Sequence, residues 1–253
     1  KAKDYLLKCV IVDPAFLYGE CKIDYYSYIL NEINHEKIIE KYYNKIKRSQ
    51  NDKQKATVYF WLANYFSVHG LIDSTIKNLS IHFNLLEEHQ SPGQISWHKL
   101  IYIPFYLYVG RENIAQSIFE QYGDIGVHKD DDLSKGWLYL YENKYIKAHQ
   151  FIDDIIILFT NEGYLSSLGE PYFLKGMIYL RSKDYQNAIA TFEKALTYPP
   201  HYPHYYSIFP TDDSDIYLLI SQSYLKLQDN ISATEWIEKA YQLNSFEPRI
   251  QYQ

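Results

Sequence analysis

The sequence predicts an all-α fold of antiparallel helix hairpins, about thirteen helices with no convincing strand. Three observations carry this. Glycine and proline number only 10 and 9 in 253 residues, too few for the many tight turns of an all-β chain and against a disordered one. Apolar residues, 47% of the chain, recur at helical spacing. Corresponding slots at Ala63, Ile103, Gly136, Gly176 and Ser221, small in all but the second, mark similar patterns of aromatic and small positions, at spacings of 40, 33, 40 and 45 residues.

The clearest unit runs from Glu170 to Pro200. Tyr172, Gly176, Tyr179, Tyr185, Ala188, Phe192, Ala195 and Pro200 punctuate it. Small residues such as Gly176, Ala188 and Ala195 suit positions where two helices cross closely, and Tyr172, Tyr179 and Phe192 fill the gaps between hairpins. A second unit spans Asp215 to Leu243, where Tyr217, Ser221, Tyr224, Ala233, Ile237 and Ala240 take the same slots. Upstream, Gly136, Tyr139, Tyr145, Ala148 and Ile152 repeat the spacing. Before them stand Tyr102, Ile103, Tyr106, Gly110, Ala115 and Phe119, and earlier still Tyr59, Leu62, Ala63, Phe66, Gly70, Thr75 and Leu79. Tyr18–Leu30 and Glu36–Arg48 read as a divergent hairpin, and Ala2–Val12 as a helix stopped by Asp13-Pro14. The reading is one solenoid domain over 1–253, with hinges at Gln50–Lys53, Gln90–Gln94 and Tyr198–Asp213. The start at Lys1, without Met, is expected to reflect the C-terminal part of a longer chain.

The Glu170–Pro200 unit resembles a tetratricopeptide repeat. Its one departure is Lys175, where the pattern wants Leu; Leu174 stands one position earlier. The resemblance implies a right-handed superhelix whose first helices line a concave groove. It places the groove slots at Phe60, Asn64 and Val68; Leu100, Pro104 and Tyr108; Leu133, Trp137 and Tyr141; Phe173, Met177 and Arg181; and Leu218, Gln222 and Lys226. Phe60, Asn64, Tyr108, Trp137, Tyr141, Phe173, Arg181 and Gln222 are the candidate binding residues. Asn64, Arg181 and Lys226 stand too far apart in the array for the carboxylate clamp found in some relatives. Two accounts of the aromatic groove stay open: it binds an apolar peptide, helix or small ligand, or its side chains pack on one another.

Charge and motifs narrow the function. Lys plus Arg number 25 against 31 Asp plus Glu, a net charge of −6 that argues against direct nucleic-acid contact by this segment. No apolar run is long enough to span a bilayer. Phosphate-loop, dinucleotide, zinc-protease and nucleophile-elbow patterns are all missing, so neither an enzyme nor a cofactor is expected. His201 and His204 are too few for a metal site and read as loop residues, while His69, His82, His98 and His149 read as structural. His82 stands where alanine is usual, so its hairpin is expected to splay. Asp130–Asp132 read as helix capping. Cys9 and Cys21 face one hairpin interface, as two buried thiols or as a disulfide if the chain is exported. Lys37, Lys41 and Lys45 stripe one helix face, read as a solvated outer face, with an acidic partner or DNA phosphates as the alternative.

KAKDYLLKCVIVDPAFLYGECKIDYY and SFEPRIQYQ are similar to the ends of repeat regions in two bacterial groups. One is the winged-helix transcription regulators of the CadC, ToxR and HilA type; the other is kinases and cyclases with C-terminal repeats. The resemblance implies a sensory or protein-binding module of a bacterial regulator. A self-associating scaffold, with a homodimer, and a regulatory domain of a kinase or cyclase are the alternatives. A cytoplasmic location is expected, or a periplasmic one if a membrane helix precedes Lys1.

Overall fold

A computed structural model describes residues 17–29, 32–125, 133–198 and 213–243. The expectations at Ala2–Val12, Cys9, Asp130–Asp132, His201, His204 and the C-terminal SFEPRIQYQ lie outside these residues. Among the described residues every regular element is helical. The chain divides into two compact units, Lys1–Ile95 and Ser96–Gln253.

In the first unit, α1 (Leu17–Ile29) and α2 (His35–Arg48) both pack on α3 (Asp52–Val68), which pairs with α4 (Ile72–Glu87). Asparagine starts two of these helices. Asn34 accepts from the Lys37 N–H at 2.9 Å, and Asn51 from the Gln54 N–H at 2.9 Å, satisfying donors that a helix start leaves open. The unit boundary falls within α5 (Pro92–Leu100).

The second unit continues with α6 (Ile103–Tyr108), α7 (Glu112–Tyr122), α8 (Ser134–Tyr141) and α9 (Tyr145–Asn161). A short 3-10 turn, Leu165–Ser167, precedes α10 (Gly169–Arg181), α11 (Tyr185–Leu196), α12 (Asp213–Lys226) and α13 (Asn230–Leu243). From α6 on, each helix packs on the next, and the first helices α6, α8 and α10 also meet their neighbours directly. The segment around Tyr102 is not one helix. Pro104 has no N–H to offer the Leu100 carbonyl and its ring would clash there, so α5 ends at Leu100 and α6 restarts with Tyr102 as its cap.

The repeat phase is written in the turns. Seven residues after each slot, Gly70, Gly110, Asn143, Lys183 and Gln228 adopt φ of 68°, 70°, 58°, 66° and 64°. One residue later the backbone N–H of Leu71, Arg111, Lys144, Asp184 and Asp229 bonds back to the carbonyls of Phe66, Tyr106, Tyr139, Tyr179 and Tyr224. This is a left-handed helix stop with its six-to-one hydrogen bond, repeated in five hairpins. Glycine meets the left-handed conformation freely at two of the turns; the other three carry side chains there at a cost.

The slots themselves are buried too. Ala63, Ile103 and Ser221, and the facing Thr75, Ala115, Ala148, Ala188 and Ala233, are inaccessible to solvent. A Cβ on Gly176 would sit 2.6 Å from two ring carbons of Phe192, and one on Gly136 would sit 2.9 Å from Leu174. Ser221 fits by donating its hydroxyl to the Ala233 carbonyl at 2.9 Å. His82 is accommodated in its alanine slot by donating from Nδ1 to the Ala56 carbonyl at 2.8 Å across the α3/α4 hairpin.

Candidate functional site

The outward slots of the first helices are not equally accessible. Their first positions, Phe60, Leu100, Leu133, Phe173 and Leu218, are all buried. In the middle, Asn64, Pro104, Met177 and Gln222 are half-buried and Trp137 is buried. At the last positions Tyr108 is 58% exposed, Tyr141 half-buried, and Arg181 and Lys226 exposed. Side chains project toward a helix's N-terminus, and in these short helices only the last turn escapes the neighbouring hairpin.

The residues expected to bind a ligand therefore separate into two layers in the second unit. Trp137 and Phe173 form the lower layer. Their rings meet at 6.1 Å, and Phe173 also packs on Phe192 at 5.9 Å. The second of the two accounts of the aromatic groove describes this pair: they pack on one another. Phe60 packs on Trp61 and His82 in the first unit, and Asn64 donates to the Phe60 carbonyl at 2.9 Å within its own helix.

The upper layer joins α6, α8 and α10. The Arg181 guanidinium lies over the Tyr141 ring, 5.3 Å from its centroid. Burial pushes the Tyr141 hydroxyl up, while Arg181 beside it pulls the other way; Tyr108 and Glu112 also act on it. A cation on an aromatic face gains about 0.5–1 kcal/mol at an exposed site, enough to bias where the guanidinium points. The result is an aromatic and cationic strip of Tyr108, Tyr141 and Arg181. Gln222 and Lys226 take the matching slots on α12. Glu112, at the start of α7, was not singled out from the sequence; its nearness to Tyr141 follows from the turn at Gly110.

The basic stripe of α2 behaves differently from its expectation. Lys41 donates to Asp24 at 2.7 Å, Lys45 reaches the other oxygen of the same carboxylate, and Arg48 pairs with Glu20. Lys45 is only 7% exposed. The expected solvated outer face is thus corrected for Lys45, while Lys41, paired with Asp24, keeps 40% of its side chain exposed. Asp24 and Glu20, one turn apart on α1, draw Lys45 inward, while Lys37 stays exposed at the start of the stripe. Cys21, on the same face of α1, is a buried free thiol whose pKa is driven up by desolvation. The residue proposed as its partner, Cys9, lies outside the described residues. No described helix is long and apolar enough to cross a membrane.

Helix hairpins of recurring slot pattern, with the small residues inside, define a helical-repeat protein. The tetratricopeptide repeat family pattern matches residues 169–202 and 214–246. These two hairpins are tetratricopeptide repeats, and the hairpins before them follow the same slots. The fold is similar to the crystal structure of a tetratricopeptide repeat protein from Parabacteroides merdae, with 13% identity, a TM-score of 0.64, and 98% of this chain and 88% of that chain covered. BtubC from P. vanneervenii aligns at 14% identity over 96% of this chain and 87% of its own, with a TM-score of 0.39. No curated protein matches the sequence.

Proposed function

We propose that the chain is a non-catalytic binding module that holds a protein or peptide on the strip formed by Tyr108, Tyr141 and Arg181, with Met177 and Gln222 beside it. The observation that supports this is the layering of the first-helix slots. Burial fixes Trp137 and Phe173 as a floor and leaves an aromatic and cationic edge above it. Tyrosine and arginine are enriched among residues that dominate interface energies, because each offers a large rigid surface with polar reach.

The module is further proposed to serve a bacterial transcription regulator or signalling protein, a reading supported by the similarity of its two ends to such chains. Peptides selected by display on the whole chain test the site. Wild type is expected to bind them with Arg181→Ala and Tyr141→Ala each weakening affinity by about tenfold or more. Equal affinity in both variants would move the site elsewhere. A dimer that survives dilution, with no selected peptide binding the strip, would favour a self-associating scaffold instead.

A further inference from the structure

We propose that Asp52, Glu88 and His89 form a binding site for a divalent transition-metal ion of the zinc class at the open end of the α3/α4 hairpin. The site is separate from the strip in the second unit and does not depend on it. One donor atom from each of the three residues lies within 4.8 Å of the others. The topology produces this meeting. Asp52 is the first residue of α3, and Glu88 and His89 follow the last turn of α4, so an antiparallel hairpin brings both ends to one place. The backbone there is pinned: the N–H groups of His89 and Gln90 both donate to the Leu86 carbonyl, at 3.0 and 2.9 Å.

The spacing fits a metal better than a direct pair. His89 Nε2 stands 3.5 Å from Asp52 Oδ2. That exceeds the about 2.7–3.2 Å of an ordinary N–H···O bond. It is close to the edge of a tetrahedron with metal–ligand bonds of about 2.1 Å, which is about 3.4 Å. The two oxygens of Asp52 divide their work. Oδ1 accepts from Lys55 Nζ at 2.8 Å, while Oδ2 faces His89. An ion on Oδ2 would find its carboxylate already oriented by Lys55, as outer partners orient ligands in metal sites. Two carboxylates and one imidazole suit zinc and its neighbours rather than magnesium or calcium, which favour oxygen alone. Exposure of Glu88 and His89 leaves room for water as a fourth ligand, and the carbonyl end of α4 favours a cation.

Calorimetric titration of the full chain with zinc chloride tests this, alongside His89→Ala and Glu88→Gln, whose helicity is checked by circular dichroism. One saturable site is expected in wild type, weakened about tenfold or more in each variant. Zinc should raise the melting temperature of wild type and not of the variants, and magnesium should not substitute. Cobalt should show tetrahedral visible absorption in wild type that His89→Ala abolishes. No zinc binding by wild type, or unchanged binding in both variants with zinc held by other histidines, would overturn the proposal.

Discussion

The start of the first unit and the end of the second solve the same packing problem with different chemistry. Where α10 meets α11, and α12 meets α13, the close crossings are made by Gly176, Ala188, Ser221 and Ala233, with Phe192 seated against Gly176. Where α1 meets α2, buried Cys21 and Tyr42 also touch, but the small-slot spacing of the repeats is not kept. Asp24 instead sits 5% exposed and holds Lys41 and Lys45. Apolar complementarity tolerates small shifts and loses energy gradually. A buried ion pair is close to neutral when complete and costly when one partner is lost. The difference explains why the last two hairpins match a known repeat pattern and the first pair does not: charge pairing needs partners at particular positions and leaves no periodic apolar trace.

The largest expected effect lies in the ionic region. Asp24→Ala leaves Lys45 buried beside no carboxylate except Glu20, 4.0 Å away, and should cost about 3–5 kcal/mol in denaturant unfolding. The paired change Asp24→Leu with Lys45→Met should recover most of that loss. If the double variant is as unstable as the single one, charge pairing is not what holds α1 to α2.

Next come the apolar crossings. Gly176→Ala pushes a methyl group into the Phe192 ring, and Ala188→Leu overfills a slot with no solvent access. Each should destabilise by about 1–3 kcal/mol, read as a fall in melting temperature. Phe192→Leu should rescue Gly176→Ala in part. Unchanged melting in Ala188→Leu would contradict the assigned repeat phase.

The turns predict a smaller effect of opposite sign. Lys183 holds φ at 66°, so Lys183→Gly should stabilise by about 0.5–1 kcal/mol, whereas Gly70→Ala at 68° should destabilise by a similar amount. Chemical denaturation of both variants checks the pair together.

The smallest effect is a pH dependence in the second unit. Burial holds the His98 and His149 rings below their ordinary values; around His149, Asp153 and Asp184 oppose the shift and Lys175 adds to it. A depressed folded value means the folded state prefers the neutral ring. Its stabilisation is complete above the unfolded value of about 6.5 and is lost as pH falls through the folded value. Melting temperature should therefore drop between about pH 7 and 5, and drop less in His149→Gln. Equal slopes in the two proteins would refute the assignment.

The hairpins were legible because their pattern is local. The residues at 63, 103, 136, 176 and 221 predict the phase, and the left-handed turns seven residues on confirm it hairpin by hairpin. The break at Pro104 was equally legible in principle, since a proline four residues after Leu100 cannot continue that helix. The site was only half legible. Slot counting finds Tyr108, Trp137, Tyr141, Phe173 and Arg181, but cannot separate floor from edge, because burial depends on how far the next hairpin covers each helix. Glu112, and the meeting of Asp52 with Glu88 and His89, depend on which helix ends the turns bring together.

The most direct test of the binding account is a hydrogen-exchange footprint of the whole chain with a display-selected peptide. The account predicts added protection at the last turns of α6, α8 and α10, around Tyr108, Tyr141 and Arg181, lost together with binding in Arg181→Ala. Protection centred instead on the exposed apolar residues of the second helices, Ile146 and Ile157 on α9 or Ile231 on α13, would contradict it.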